Sequence, residues 1–188
     1  AAVAGRYIKK TVLELGGSDA FIVLDDADLV AAVKTAVTAR MLNQGQSCIA
    51  AKRFIVVDSV AREFEQALKS EMERLLAGDP MDASTQVAPL ARPDLVDDIE
   101  RQVNESVQSG ARLVLGGKRI SRPGFYFEPT ILADVKKGMA VFSQETFGPV
   151  AVIITVADEQ DAIDTANDSE YGLGGCVWTR NPERGERV

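Results

Sequence analysis

The sequence predicts an α/β domain: a largely parallel sheet with helices on both faces. Three runs, Phe21–Leu24, Arg53–Val57 and Val150–Ile154, are almost wholly apolar, as expected of strands buried on both sides. Longer segments with helical periodicity separate these runs, which is the alternation typical of parallel sheets. The chain has 188 residues, 46% of them hydrophobic, which is enough for a core of this kind.

Local signals set the bounds of the individual elements. Acidic residues at 25, 26 and 28 favour a helix start, because they complement the free N–H groups of the first turn. Glycine and proline mark the helix ends and turns. The predicted helices are the end of a helix at 1–10, then 29–43, 60–76, 94–109 and 159–167. The predicted strands are 11–15, 21–24, 53–57, 113–115, an extended segment at 125–132, 150–154 and 175–178.

Composition narrows the class of protein. The net charge of −7 argues against binding to nucleic acid or to an anionic membrane surface. No apolar run approaches the roughly 20 residues of a membrane span, and the first residues lack the features of a signal peptide. Two widely separated cysteines favour a reducing compartment, so we expect the cytoplasm.

The absence of histidine is the most useful exclusion. Neither a Ser-His or Cys-His dyad nor a His-ligated metal can form within this sequence. Two cysteines alone do not make a zinc site, so we predict no metal. A reactive cysteine would need a group other than imidazole to activate it.

One stretch presents a thiol in a setting suited to reaction. Asn43–Ser47 is a polar, glycine-containing run between a helix pattern and a strand pattern, and it leads into Cys48. Such a run lets the backbone turn sharply and present the cysteine. The competing interpretation is a buried, inert thiol. For Cys176, beside Trp178 in a strand pattern, a core thiol is the expectation.

Two further segments are candidates to act with Cys48. Glu14 interrupts an apolar strand pattern beside a Gly-Gly turn, so it is either an ordinary solvent-facing residue or, in a partly dry pocket, a general base. Glu145 and Phe147 precede a Gly-Pro pair and a strand. They either line a cleft with an acceptor and a flat apolar wall, or belong to a loop whose Phe packs in the core.

Together, four motifs resemble those of the aldehyde dehydrogenase superfamily in order and rough spacing. They are Leu13–Gly17, Asn43–Cys48, Glu145–Val150, and Asn167 followed by Tyr171–Leu173. The resemblance covers essentially the whole chain, and the stretches that begin at the Gly-Gly pair and at the cysteine look most like the succinate-semialdehyde dehydrogenase branch. It implies a Rossmann-like catalytic domain over residues 1–188.

The resemblance implies a role for each matching residue. Cys48 matches the nucleophile that attacks the aldehyde to form a thiohemiacetal and then a thioester, with its backbone N–H as an oxyanion donor. Glu14 matches the base that activates the hydrolytic water. In this family a carboxylate therefore does the work for which a histidine would otherwise be needed. Leu15, Glu145 and Phe147 match cofactor contacts: a carbonyl to the nicotinamide amide, an acceptor for the nicotinamide ribose hydroxyls, and a ring packed nearby.

The implied activity is oxidation of an aldehyde, succinate semialdehyde in the branch named, with NAD or NADP as cofactor. The residues of this sequence do not distinguish NAD from NADP. The sequence departs from the family pattern at Ser18, where Lys is frequent, and at Gln144, where a second Glu is common, and we expect both to affect loop contacts only.

The family's N-terminal dinucleotide-binding domain and C-terminal oligomerisation segment have no counterpart in residues 1–188. We therefore expect a homo-oligomeric parent protein and little turnover from this chain alone. The alternative is a non-catalytic structural or interaction domain that keeps the fold. A cysteine hydrolase or acyltransferase is disfavoured by the missing histidine.

Overall fold

The computed structural model describes residues 1–188 and contains six strands around which the helices pack. The strands are β1 (Ala20–Val23), β2 (Arg53–Val57), β3 (Arg112–Leu115), β4 (Thr130–Ala133), β5 (Val150–Val156) and β6 (Gly175–Trp178). They form one sheet in the order β3-β4-β5-β2-β1-β6. Neighbouring strands are parallel except for the outer pair of β3 and β4, which is antiparallel.

The chain also contains seven α-helices and one 3-10 turn. The helices are α1 (Ala2–Arg6), α2 (Leu29–Met41), α3 (Asp58–Met72), α4 (Pro93–Gln108), α5 (Ala140–Ser143), α6 (Glu159–Asn167) and α7 (Pro182–Arg187), and the 3-10 turn is Leu42–Gly45. None of these helices has both the length and the apolar character that crossing a membrane requires.

Side chains on the central strands alternate between two hydrophobic cores. Phe21 and Phe54 point to the face covered by α2 and α3, where Phe64 packs against them. Ile22 and Ile55 point to the opposite face, which α4, α5 and α6 cover. Burial of each such side chain contributes about 1.5–3 kcal/mol. The predicted sheet with helices on both faces is confirmed.

Capping residues explain where the helices begin. The Asp28 side chain accepts a hydrogen bond from the Ala31 N–H at 3.1 Å, which fixes the start of α2. Asp158 does the same for α6 through the Asp161 N–H at 3.0 Å. The predicted helix over 60–76 differs at both ends, because α3 starts at 58 and ends at 72, and Leu76 is 58% exposed rather than on the buried face.

The strand predicted at 11–15 is wrong. Residues 9–19 contain no helix or strand, and Val12, Leu13 and Leu15 are exposed. Local alternation of apolar and polar side chains cannot make a strand without a neighbour to accept its hydrogen bonds, and no strand of the sheet pairs with this segment.

Candidate active site

The sequence motifs converge at one edge of the sheet. Gly17 lies just before β1, Cys48 before β2, Glu145 before β5 and Leu173 before β6. Because β1, β2, β5 and β6 are parallel and follow one another in the sheet as β5-β2-β1-β6, their amino ends meet at the same edge. The parallel sheet therefore brings together residues that lie far apart in the sequence.

The loop that carries Cys48 makes the sharp turn that its sequence predicts. Asn43, Gln44 and Gly45 all have left-handed backbone conformations, with φ values of 49°, 60° and 75°. A Cβ on Gly45 would lie 2.0 Å from the Gly148 carbonyl oxygen, so only glycine fits where this loop crosses the Glu145 loop. The Asn43 amide donates to the Gln46 carbonyl and the Gln46 amide donates to the Asn43 carbonyl, each at 3.1 Å, which closes the turn.

The Gly-Gly turn packs directly between Cys48 and Glu145. A Cβ on Gly17 would lie 2.3 Å from the Cys48 carbonyl oxygen. The Gly17 N–H donates to Glu145 Oε1 at 3.1 Å. A Cβ on Gly16 would lie 2.6 Å from Glu145 Oε2 and 3.3 Å from the Tyr171 ring. The paired glycines thus leave the space that the Glu145 carboxylate occupies.

Two buried cations lie beneath the Cys48 loop. Lys52, 1% exposed, donates from Nζ to the carbonyl oxygens of Ser47 at 3.1 Å, Cys48 at 3.0 Å and Ala50 at 3.1 Å. The guanidinium of Arg40, fully buried, donates to the Gly45 carbonyl at 2.8 Å. Four carbonyl groups of a short loop therefore point toward positive charge.

Burial changes the acid–base behaviour of both cations. Desolvation, followed by repulsion from Arg40, lowers the pKa of Lys52 to about 8. Attraction to Glu145, Asp19 and Cys48 opposes this decrease. Burial also lowers the pKa of Arg40, although Glu145 opposes that change and a guanidinium remains charged at neutral pH. Glu145 Oε1 lies 3.9 Å from Lys52 Nζ, so one carboxylate faces two buried cations.

A second layer of hydrogen bonds fixes the segments that carry the site. Arg53 donates to the Ser18 carbonyl at 3.0 Å and to the Thr165 and Ala166 carbonyls at the end of α6, at 2.8 Å and 2.9 Å. Asp19 accepts from the Gly174 N–H at 3.0 Å. These bonds tie the start of β1 to β2, α6 and the segment before β6.

Helix α4 holds the Glu145 loop from the other side. The Gln102 amide donates to the Glu145 carbonyl at 3.1 Å and to the Gln144 side chain at 3.2 Å. Arg101 also donates to the Gln144 side chain, at 3.2 Å. Gln144, one of the two departures from the family pattern, is therefore engaged in contacts with α4, whereas Glu145 points into the site.

The structure brings some predicted site residues together and leaves others at the rim. Cys48 is half-buried and Glu145 lies beside it across Gly17. Glu14 and Leu15 lie in the exposed segment that enters the Gly-Gly turn, so the structure places Glu14 facing solvent and not in a partly dry pocket, and its carboxylate makes no hydrogen bond or ion pair. Phe147 is partly exposed, two residues beyond Glu145, which favours the cleft-lining interpretation over a core side chain.

The second cysteine does not occupy the core position that the sequence predicts. Cys176 is exposed because β6 is the outer strand of the sheet. Its thiol is nevertheless weakly acidic: desolvation by the surrounding protein raises its pKa to about 11, despite a hydrogen bond with Trp178 that acts in the opposite direction. An apolar strand pattern does not reveal whether a strand is central or at an edge.

The sequence analysis did not identify Arg40 and Lys52 as part of the site. One signal was available for each. Arg40 follows Ala32, Val33 and Ala36 on the buried stripe of α2, where a charged residue is unusual. Lys52 directly precedes a wholly buried strand. Charges at positions that the periodicity assigns to the core indicate buried polar contacts.

Chemically, the arrangement offers a nucleophile, donors and acceptors in one cleft. The half-buried Cys48 belongs to a loop whose carbonyl oxygens contact two buried cations. The Glu145 carboxylate has one oxygen engaged by Gly17, and its second oxygen forms no hydrogen bond within the protein. No group of three or more Cys, Asp or Glu side chains is arranged to hold a metal ion.

Comparisons with known proteins agree with one another. The model of the aldehyde dehydrogenase family matches residues 1–188. The chain is 52% identical over 188 residues to a Synechocystis sp. protein named "Probable succinate-semialdehyde dehydrogenase (NADP(+))", covering 100% of this chain and 41% of that protein. It is 49% identical over 187 residues to the succinate-semialdehyde dehydrogenase (NADP(+)) of Mycobacterium avium, covering 100% of this chain and 40% of that protein.

Solved structures show the same fold. The crystal structure of succinic semialdehyde dehydrogenase from Streptococcus pyogenes, in complex with NADP+, has a TM-score of 0.93 and 43% identity. The match covers 98% of this chain and 40% of that one. The chain thus spans about two fifths of the length of the relatives that it matches.

Proposed function

The chain belongs to the aldehyde dehydrogenase family, and on that premise we propose that it forms the thiol-bearing part of an NADP-dependent succinate-semialdehyde dehydrogenase. The observation that carries the proposal is the convergence of Cys48, the Gly16–Gly17 turn and Glu145 at one edge of the sheet. Relatives about half identical over the whole chain carry this name. These relatives favour an enzyme over a non-catalytic structural domain.

In the proposed reaction Cys48 supplies the nucleophile. Its thiolate forms a C–S bond to the aldehyde carbon, and the carbonyl oxygen takes the electron pair as an oxyanion. The backbone N–H of Cys48 donates to that oxyanion. Loss of a hydride from the same carbon leaves a thioester on Cys48. Glu14, the residue that matches the family's base, takes a proton from the water that attacks the thioester; the C–S bond then breaks, the carboxylic acid leaves, and the Cys48 thiolate takes up that proton to restore the thiol.

The residues present fit the nicotinamide half of a dinucleotide. The glycine at 16 makes room for the Glu145 carboxylate, and the Glu145 oxygen that lacks a hydrogen-bond partner is free to accept from a ribose hydroxyl. The Leu15 carbonyl and the partly exposed Phe147 complete the proposed contact set. When bound, NADP+ supplies the acceptor for the hydride.

The assignment of Cys48 is tested by comparing two cysteine substitutions in the natural protein. Cys48→Ser should lower the rate of NADP+ reduction with succinate semialdehyde by roughly 10⁴-fold or more, because no other nucleophile is available. Cys176→Ser should leave the rate unchanged, because that residue lies on the outer strand. Absorbance of the reduced cofactor reports both rates.

The same two variants also define the result that would contradict the assignment of Cys48 as the nucleophile. If Cys48→Ser retains ordinary turnover, or Cys176→Ser loses it, Cys48 is not the nucleophile. Circular dichroism of the two variants separates a chemical effect from unfolding, since neither change removes a core contact.

A further inference from the structure

We propose that Lys52 is a positioning residue that sets the direction of the Cys48 backbone N–H and thereby builds the oxyanion site. The inference rests on the proposed function, because it assigns a task to that N–H. It gives Lys52 a role through the backbone of the Cys48 loop and not through contact with the aldehyde or the cofactor. Three observations carry it: the carbonyls that Lys52 holds, the geometry of the peptide unit, and the charges that face the ammonium.

The Lys52 ammonium is fully committed to the Cys48 loop. A lysine has three N–H donors, and they point to the three carbonyl oxygens of Ser47, Cys48 and Ala50 at 3.0–3.1 Å. No donor remains for Glu145, which acts only through its charge at 3.9 Å. The side chain is 1% exposed, so water does not compete for these contacts.

Peptide geometry transmits this contact to the other side of the loop. A trans peptide unit is planar, and its C=O and N–H point in opposite directions. The Ser47 carbonyl and the Cys48 N–H belong to one such unit, so drawing the carbonyl toward Lys52 turns the Cys48 N–H away from the buried ammonium. The Cys48 N–H donates to no other group of the protein, so it is free to donate to an oxyanion.

The charge on Lys52 strengthens the same effect. A cation on the carbonyl oxygen polarises the peptide unit and makes its N–H a better donor to a developing negative charge. The groups that face the ammonium are Arg40, which disfavours its charged form, and Glu145, Asp19 and Cys48, which favour it. Arg40 holds the Gly45 carbonyl in the same manner, which steadies the preceding turn.

The direct test follows the loop carbonyls by NMR without any turnover. In the Cys48→Ser variant, which has no thiol at this position to titrate, pH is raised from about 6 to about 10 across the Lys52 pKa of about 8. The Ser47 carbonyl carbon and the amide nitrogen of residue 48 should shift together, with a midpoint at or below that value because the variant also removes the attraction between Lys52 and Cys48. The shift should be absent when Lys52→Met is added.

Two results would overturn the proposal. One is the lack of any transition near pH 8 at Ser47, and the other is the same transition in the double variant. Because the titration uses a variant without the nucleophile, it gives an answer even if the proposed dehydrogenase activity proves wrong. If the Lys52→Met protein misfolds, Lys52→Arg in the same background replaces it: an arginine stays charged over this pH range, so the transition should again be absent.

Kinetics of the natural protein supply the functional half of the test. Lys52→Met should lower kcat by about 10- to 100-fold, less than complete loss of an oxyanion donor, and should change KM little. Lys52→Arg keeps the charge and should recover part of kcat. Lys34→Met, which removes an exposed lysine of α2, is the matched control and should have no effect. An unchanged kcat in Lys52→Met would contradict the positioning role.

Discussion

The two cysteines of this chain lie near the amino ends of two strands of one sheet, but the groups around them differ. Cys48 is half-buried on a loop whose carbonyls contact two buried cations and the Gly17 turn. Cys176 is exposed on the outer strand, where desolvation raises the pKa of its thiol to about 11. Exposure alone therefore does not distinguish the proposed nucleophile from the other thiol. The groups that surround the cysteine backbone distinguish the two sites.

The largest expected difference is in the reaction of Cys176 with alkylating agents. At pH 8 a thiol with a pKa of about 11 is ionised in about one molecule in 1,000, against about one in ten for the ordinary value of 9.0. Because a thiolate of higher pKa is also the stronger nucleophile, Cys176 should react with iodoacetamide roughly 10- to 20-fold more slowly than an ordinary thiol at pH 8. Its rate should rise about tenfold per pH unit until pH approaches 11.

Mass spectrometry of the Cys48→Ser variant measures the Cys176 rate without competition. In the unsubstituted chain we expect Cys48 to be modified before Cys176, as the sequence alone also predicted. The sequence attributed the slow reaction of Cys176 to burial in the core, whereas the structure attributes it to the raised pKa of an exposed thiol. Modification of Cys176 first at pH 8 would contradict both the order and the reason.

Smaller effects come from the backbone beside each cysteine. Gly17→Ala places a methyl group 2.3 Å from the Cys48 carbonyl oxygen, the same oxygen that Lys52 holds. The loop must move, at a cost of about 1–3 kcal/mol of unfolding free energy. For a chain of this length each kcal/mol corresponds to about 2–4 °C in Tm. Thermal unfolding followed by circular dichroism measures the decrease.

Gly175→Ala is the matched control beside Cys176. Its methyl group would meet the Ala20 carbonyl oxygen at 3.3 Å on an edge strand, which requires only a small adjustment. We expect the unfolding free energy to change by less than about 0.5 kcal/mol. Equal losses for the two variants would show that the backbone at Cys48 is no more tightly constrained than the backbone at Cys176.

The same contrast separates what sequence could predict from what it could not. Strand and helix patterns identified β2, β6 and α6 because continuous apolar runs and helical periodicity are local properties. The four family motifs identified the candidate site, and the family match confirms the resemblance. All of these signals are contained in short stretches of sequence.

The errors concern properties that depend on neighbours. The segment 11–15 alternates like a strand, but nothing in the sheet pairs with it. Cys176 lies in an apolar pattern, but β6 is an edge strand. Lys52 and Arg40 are buried because the sheet and α2 close over them, which no local pattern reveals. Strand order and loop packing are tertiary properties, so they required the structure.

The smallest expected effect isolates the contribution of Glu145 to the Cys48 loop. Glu145→Gln keeps an oxygen to accept from the Gly17 N–H but removes the negative charge 3.9 Å from Lys52. Desolvation and Arg40 already lower the pKa of Lys52 to about 8, and Glu145 opposes them. Without that charge the pKa of Lys52 should fall below 8, so the ammonium should lose its proton at a lower pH.

The NMR titration of the Ser47 carbonyl carbon measures this change when Glu145→Gln is added to Cys48→Ser. The midpoint should move to lower pH, whereas the pH dependence of Cys176 alkylation, measured in the same protein, should stay the same because Glu145 is not among the groups that shift its pKa. A midpoint that stays in place or moves upward would show that Glu145 does not stabilise the Lys52 charge. In that case the carbonyl contacts alone hold the ammonium beneath the Cys48 loop.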